Sequence, residues 1–207
     1  SYTYSDADGW YWEATAVWIE NEVYPLEEEY SIFLFGFAFL PHYALEFFDY
    51  FDSGALQEYY QYGAFVFPKF LTEFYVDSQF IRDSWMEATE LSPLQWIQQN
   101  LEEDGEDFEQ IMSDFAAKNV HWDYPDRDWY ELYLDYYTDI FPEGDNRITQ
   151  GIHSAGTADW EEVDSHLKPS KYGYNHLQLT SPTMEDAYFY FDGNTVGDFF
   201  SDVEWQV

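Results

Sequence analysis

The sequence predicts an α+β fold: a mainly helical part spans residues 1–141, and a small antiparallel β part follows within residues 142–207. Apolar residues recur every three or four positions through most of the first part, which is the period of a half-buried helix. After the turn cluster at 142–146, polar and apolar residues begin to alternate, as in a half-buried strand. We therefore treat the helical part as one domain and the remainder as a linker with a small β domain.

The helical part contains eight segments with a helical period or a helix boundary signal. The first has Trp10, Ala14 and Val17 on one side and ends before Pro25, which cannot continue a helix. Ser92 and Pro93 form a typical helix start, with Ser as N-cap and Pro at the first position. Pro68 indicates a kink or a late start. The predicted segments are 10–24, 26–40, 43–51 (helical or irregular), 56–74, 77–90, 93–101, 107–119 and 129–137.

Three segments of the second part have the pattern of strands. Residues 174–179 alternate, 187–191 are aromatic, and 203–207 follow the turn residues Asp192 and Gly193. So few strands form a poor sandwich alone. We therefore expect the β part to be completed by further chain or by a neighbouring molecule.

The charge of the chain is extremely one-sided. It has 42 Asp and Glu against 7 Lys and Arg, a net charge of −35. Such a surface repels phosphates, which excludes nucleic-acid binding and disfavours anionic membranes. Aromatic residues make up 23% of the chain, whereas disordered acidic tails are poor in them. The composition therefore indicates a folded protein adapted to salt or to divalent cations.

Two further features limit the function. The chain contains no cysteine, which excludes disulfides, thiolate metal sites and a cysteine nucleophile. The longest apolar run, residues 32–40, is shorter than the ~20 residues of a membrane helix. We therefore expect no membrane span.

A motif on the first helix suggests metal chemistry. Residues 10–20 read WYWEATAVWIE, with Glu13 followed by the small Ala14 and Ala16. The segment resembles the third-ligand helix of gluzincin metallopeptidases, in which an HExxH helix supplies two histidines and a later Glu completes the zinc site. The resemblance implies that Glu13 is the third zinc ligand, since catalytic zinc takes three protein ligands and a water. A Glu in the first helical turn is also favoured by the helix dipole alone.

Three other segments resemble secreted bacterial metalloproteases of this type, in the same order. They are YGAFVFPKFLTE at 62–73, FAAKNVHWDY at 115–124 and LKPSKYGYN at 167–175. However, no HExxH motif occurs in the 207 residues. A lone carboxylate does not hold catalytic zinc, so we expect no hydrolysis by the chain as written. Either the zinc helix lies upstream in a longer protein, or the relative has lost the site.

Two acidic loops are candidates for calcium, which binds several oxygen ligands. Clusters of this kind also arise by chance in so acidic a chain. The candidate ligands are Asp123, Asp126 and Asp128 in one loop and Asp192, Asn194 and Asp198 in the other.

Two functional hypotheses follow. In the first, the chain is part of a secreted zinc metallopeptidase that acts on a peptide or protein substrate. In the second, it is a non-catalytic extracellular structural or assembly protein on the same scaffold, and its aromatic residues favour self-association. Both place the protein outside the cell. An HExxH motif shortly upstream of Ser1 would distinguish the first from the second.

The charge leads to a prediction about stability. Repulsion among carboxylates destabilises the folded state at low salt, and molar salt shortens the screening length to ~3 Å. The melting temperature should therefore rise by many degrees between low and molar salt, or when the pH falls toward the pI near 4.1. Thermal unfolding followed by circular dichroism measures the melting temperature in the salt titration and in the pH titration. A melting temperature unchanged in both titrations would contradict adaptation to salt.

Overall fold

A computed structural model describes residues 8–24, 28–49, 55–87, 91–148, 150–153 and 164–180. This part of the chain is mainly helical and has two short strands, β1 (Gln150–His153) and β2 (Leu177–Thr180). Short 3₁₀ helices occur at Glu28–Phe33, Leu56–Tyr59 and Ser165–Leu167. The α-helices are α1 (Gly9–Val23), α2 (Leu34–Ala38), α3 (Tyr60–Gly63), α4 (Val66–Phe74), α5 (Ser78–Glu87), α6 (Pro93–Glu103), α7 (Phe108–Val120) and α8 (Arg127–Ile140).

Helix starts with strong local signals lie where the sequence predicts them. The Ser92 hydroxyl accepts a hydrogen bond from the Gln95 N–H (3.3 Å), and the Ser92 N–H donates to the Gln95 side chain (3.0 Å). This reciprocal pair is a capping box. The Asp107 carboxylate accepts from the first N–H groups of α7. Pro68 lies in the first turn of α4, where its missing N–H costs no helical bond, so the late start is confirmed.

Two predicted helices are broken into shorter pieces. Residues 28–38 form a 3₁₀ turn and then α2, and residues 56–74 form a 3₁₀ turn, α3 and α4. Glycines let these pieces cross closely: a Cβ on Gly63 would lie 2.6 Å from both Phe33 O and Phe37 N. Gly36 faces the Tyr59 backbone in the same way. Residues 43–49 are irregular, which settles the alternative left open for that segment.

The core is built mainly from aromatic rings. Phe115 of α7 lies near its centre, with ring centroids 5.8 Å from Phe37, 5.4 Å from Phe67 and 5.2 Å from Phe70. Its neighbours come from α2 and α4, so one ring connects three helices. Tilted and edge-to-face contacts of this kind stabilise a core beyond the area they bury.

The β part corrects one prediction. β1 and β2 pair in parallel, with Gln150 opposite Leu177, whereas an antiparallel arrangement was expected. Alternation fixes which residues share a face but not the direction of the partner strand. The long connection, residues 154–176, permits a parallel pair. β2 overlaps the predicted strand at 174–179, β1 was not predicted, and the candidates 187–191 and 203–207 lie outside the described residues.

The segment before β2 is attached to the helical part through backbone hydrogen bonds. The Ser170 N–H donates to His42 O and the Tyr174 N–H to Pro41 O, each at 2.8 Å.

Among the helices of the described ranges, none is both long and apolar enough to cross a membrane.

The close crossing of α2 and α3 predicts that adding a methyl group at Gly63 destabilises the folded state. Gly63→Ala should lower the free energy of unfolding by about 1–3 kcal/mol, because the new Cβ meets fixed backbone atoms. Urea denaturation measures the change. In the control Gly144→Ala, the new Cβ meets mainly the flexible end of Leu56, so a smaller loss is expected. Equal losses in both variants would contradict the tight crossing.

Candidate functional site

Glu13 lies on α1, and this helix is anchored by its other faces. Trp10, Val17 and Trp18 are buried, and α1 packs on α3 and α4. The helix begins at Gly9 and ends at Val23, close to the predicted bounds of 10–24. Glu13 itself is half-buried, which leaves its carboxylate at the edge of the packed surface.

The described surroundings of Glu13 leave its charge uncompensated. Loss of water raises the pKa of its carboxyl group above the ordinary value. Within the part of the chain that the structure describes, no hydrogen bond or ion pair reaches this carboxylate. Among the described residues, the indole N–H groups of Trp10 and Trp12 are also buried without a partner. These two indoles lie on different sides of α1, so of the three groups the partly exposed Glu13 carboxylate is the one open to a further contact.

The described residues do not form a complete zinc site. Glu13 is one oxygen ligand on a fixed helix, whereas catalytic zinc needs three protein ligands. Among the described residues, no group of three or more His, Asp or Glu side chains is arranged to hold a metal ion. Glu13 alone therefore offers too few ligands to hold catalytic zinc.

The first candidate calcium loop directs its carboxylates to different partners. Asp123 forms an ion pair with Lys118, and hydrogen bonding to this lysine lowers the pKa of Asp123. Asp126 lies 3.3 Å from the Lys69 ammonium, and Asp128 is exposed in the first turn of α8. The structure thus does not gather these three side chains around one point. Asp192, Asn194 and Asp198 lie outside the described residues.

Sequence reasoning missed a buried lysine. The Lys69 ammonium is 2.7 Å from Asn21 Oδ1, 2.7 Å from Glu73 Oε1 and 3.3 Å from Asp126 Oδ2, and only 7% of its side chain is exposed. The Tyr30 hydroxyl donates to the same Asp126 oxygen at 2.7 Å. We call these five residues the lysine network. The sequence feature that could have indicated this network is the single lysine, Lys69, within the otherwise apolar run at 64–71.

An open groove of about 870 Å³ lies between α4, α7 and the start of α8. Its charged side chains are already paired: Lys118 with Asp123, and Arg127 with Glu131 at 2.7 Å. The Asp114 carboxylate accepts a hydrogen bond from the Tyr75 hydroxyl. These pairings leave the groove without a distinctive chemistry. It is lined by Phe70, Phe74, Tyr75, Asp114, Ala117, Lys118, His121, Asp123 and Arg127.

Residues 1–202 match a family of unknown function, DUF6055, and the chain belongs to this family. The description of the family assigns no activity. No curated protein and no solved structure matches the chain significantly.

The lysine network predicts a large loss of stability when its cation is removed. Lys69→Met keeps the apolar stem but leaves Asp126 and Glu73 without their shared partner, which should cost about 3 kcal/mol or more. Chemical denaturation measures the free energy of unfolding. The control Lys118→Met removes a surface cation, so it should change stability little. Equal effects would show that the network adds nothing beyond a surface ion pair.

Proposed function

We propose that the chain is part of a secreted zinc-dependent metallopeptidase, and that Glu13 is its third zinc ligand. The observation that carries the proposal is the half-buried Glu13 carboxylate, which has no partner within the described part of the chain and lies in a segment that resembles the ligand helix of gluzincins. The matching order of the three other segments supports the same assignment.

The environment of Glu13 suits a metal ligand. Desolvation disfavours the charged form of the carboxylate, and a bound Zn²⁺ would compensate this cost with its own charge. Ala16, one helical turn further on the same face, is small and exposed. It leaves room for a second helix to approach α1, which is where the resemblance places the HExxH helix.

Hydrolysis requires residues that these 207 do not contain. When bound, zinc lowers the pKa of its water toward ~7 and so provides the nucleophile. The remaining ligands and the base belong to the HExxH motif. Within this chain, Glu13 would contribute one ligand, and α1, fixed by its buried side chains, would hold that ligand in place.

A non-catalytic extracellular structural or assembly role is the alternative. It is favoured by the absence of HExxH from the 207 residues and by the high content of Tyr, Phe and Trp. Calcium at the loop containing Asp192, Asn194 and Asp198 would reduce the repulsion that opposes self-association.

Zinc analysis of a longer chain that carries an HExxH motif upstream of Ser1 tests the ligand assignment. Glu13→Ala should lose bound zinc and peptide hydrolysis, measured by mass spectrometry of the metal and by cleavage of a quenched fluorescent peptide. Glu20→Ala, on the same helix but exposed, is the matched control and should retain both. Unchanged zinc content in Glu13→Ala would refute the assignment.

Metal-free protein gives a second measurement. The folded-state pKa of Glu13 is raised, so at pH 7 its ionised carboxylate opposes folding, and this cost disappears below the unfolded pKa of ~4.3. Glu13→Ala should therefore melt at a higher temperature than Glu20→Ala at pH 7, and the two should converge at pH 4. A lower melting temperature for Glu13→Ala at pH 7 would contradict an unpaired carboxylate.

A further inference from the structure

Helix α8 has three faces rather than two. One face is buried in the core through Tyr130 and Leu134. A second face is acidic and exposed, with Asp128, Asp135 and Asp139 at positions that share one side of a helix. The third face, which we call the outer apolar face, consists of Trp129, Leu132, Tyr136 and Ile140.

The outer apolar face is exposed along its whole length. The exposed fractions are 39% for Trp129, 56% for Leu132, 61% for Tyr136 and 48% for Ile140. Their spacings of three and four residues place them in one row about 16 Å long. The Tyr133 ring lies beside Trp129, with centroids 6.4 Å apart, and widens the row. Single exposed apolar residues are normal, but a continuous row marks an interaction surface.

The charge beside this row indicates the chemistry of its partner. The acidic face, including Asp135 and Asp139, runs along one edge of the row. A helix that covers Leu132 and Tyr136 would place its flanking residues opposite these carboxylates. Lysine or arginine there would be attracted, whereas acidic residues would be repelled.

We propose that the outer apolar face of α8 binds a basic amphipathic helix of a partner protein. Its apolar side chains cover Leu132 and Tyr136, and its cations lie opposite Asp135 and Asp139. Laying an amphipathic helix against an apolar surface is a common form of recognition. This surface is separate from Glu13, so the proposal does not depend on zinc binding.

A second copy of the chain fits the surface less well. Each copy carries a charge of −35, and pairing two α8 helices through this face would bring two acidic edges close together. Like charges across an interface oppose association.

The test uses a fluorescein-labelled 14-residue peptide of leucine and lysine in an amphipathic helical pattern. Fluorescence anisotropy measures its Kd for the intact chain. Leu132→Ser with Tyr136→Ser should weaken binding at least tenfold without changing the net charge. The matched control, Val23→Ser with Met86→Ser, removes apolar residues of 57% and 61% exposure elsewhere and should keep the Kd within twofold.

Varying the salt concentration separates the apolar contribution to peptide binding from the electrostatic contribution. Asp135→Asn with Asp139→Asn should weaken binding at 0.15 M salt but not at 1 M, since screening removes the charge contribution. Equal Kd values for the Leu132/Tyr136 variant and the Val23/Met86 control would overturn the proposal. So would salt-dependent dimerisation in sedimentation experiments that is lost only in the Leu132/Tyr136 variant, because a second copy would then be the occupant.

Discussion

The buried ammonium of Lys69 is the constraint on which the arrangement of the helices depends. An ammonium group removed from water is tolerated only when oxygen atoms surround it, and here they come from three places: Asn21 on α1, Glu73 on α4 and Asp126 just before α8. The group therefore fixes α1 relative to α4 and fixes the start of α8. Since Glu13 lies two turns before Asn21 on α1, the same contact holds the candidate ligand in place.

Around this polar centre, aromatic packing supplies most of the cohesion. Phe35 stacks on Tyr137 with centroids 3.8 Å apart, which attaches α8 to α2, and Phe115 attaches α7 to α4. The acidic surface acts in the opposite direction, because its carboxylates repel one another. The large aromatic core therefore stabilises the folded state against the repulsion among its surface carboxylates.

The parts of the fold that local sequence determines were predicted well. The starts of α6 and α7 depend on Ser92, Pro93 and Asp107, whose effects act within one helical turn. The close crossings at Gly36 and Gly63 were missed because they depend on residues more than twenty positions away in sequence. The lysine network was missed for the same reason, since Asn21 and Asp126 are far from Lys69 in sequence. The antiparallel prediction was wrong because alternation does not encode strand direction.

For the candidate site, sequence placed Glu13 on its helix, but only the structure revealed that its carboxylate lacks a partner among the described residues.

Two surfaces depart from the usual rules of burial, and they do so in opposite ways. On α1, the Glu13 carboxylate is partly removed from water and has no partner within the described ranges. On α8, the apolar side chains of Leu132 and Tyr136 remain in water. Such local inconsistencies are expected where a protein meets a ligand or a partner. The chemistry differs accordingly: the α1 face favours a cation and polar contacts, whereas the α8 face favours apolar contact beside positive charge. Because the lysine network holds both helices, a change there would disturb both surfaces, while changes at either surface would leave the other intact.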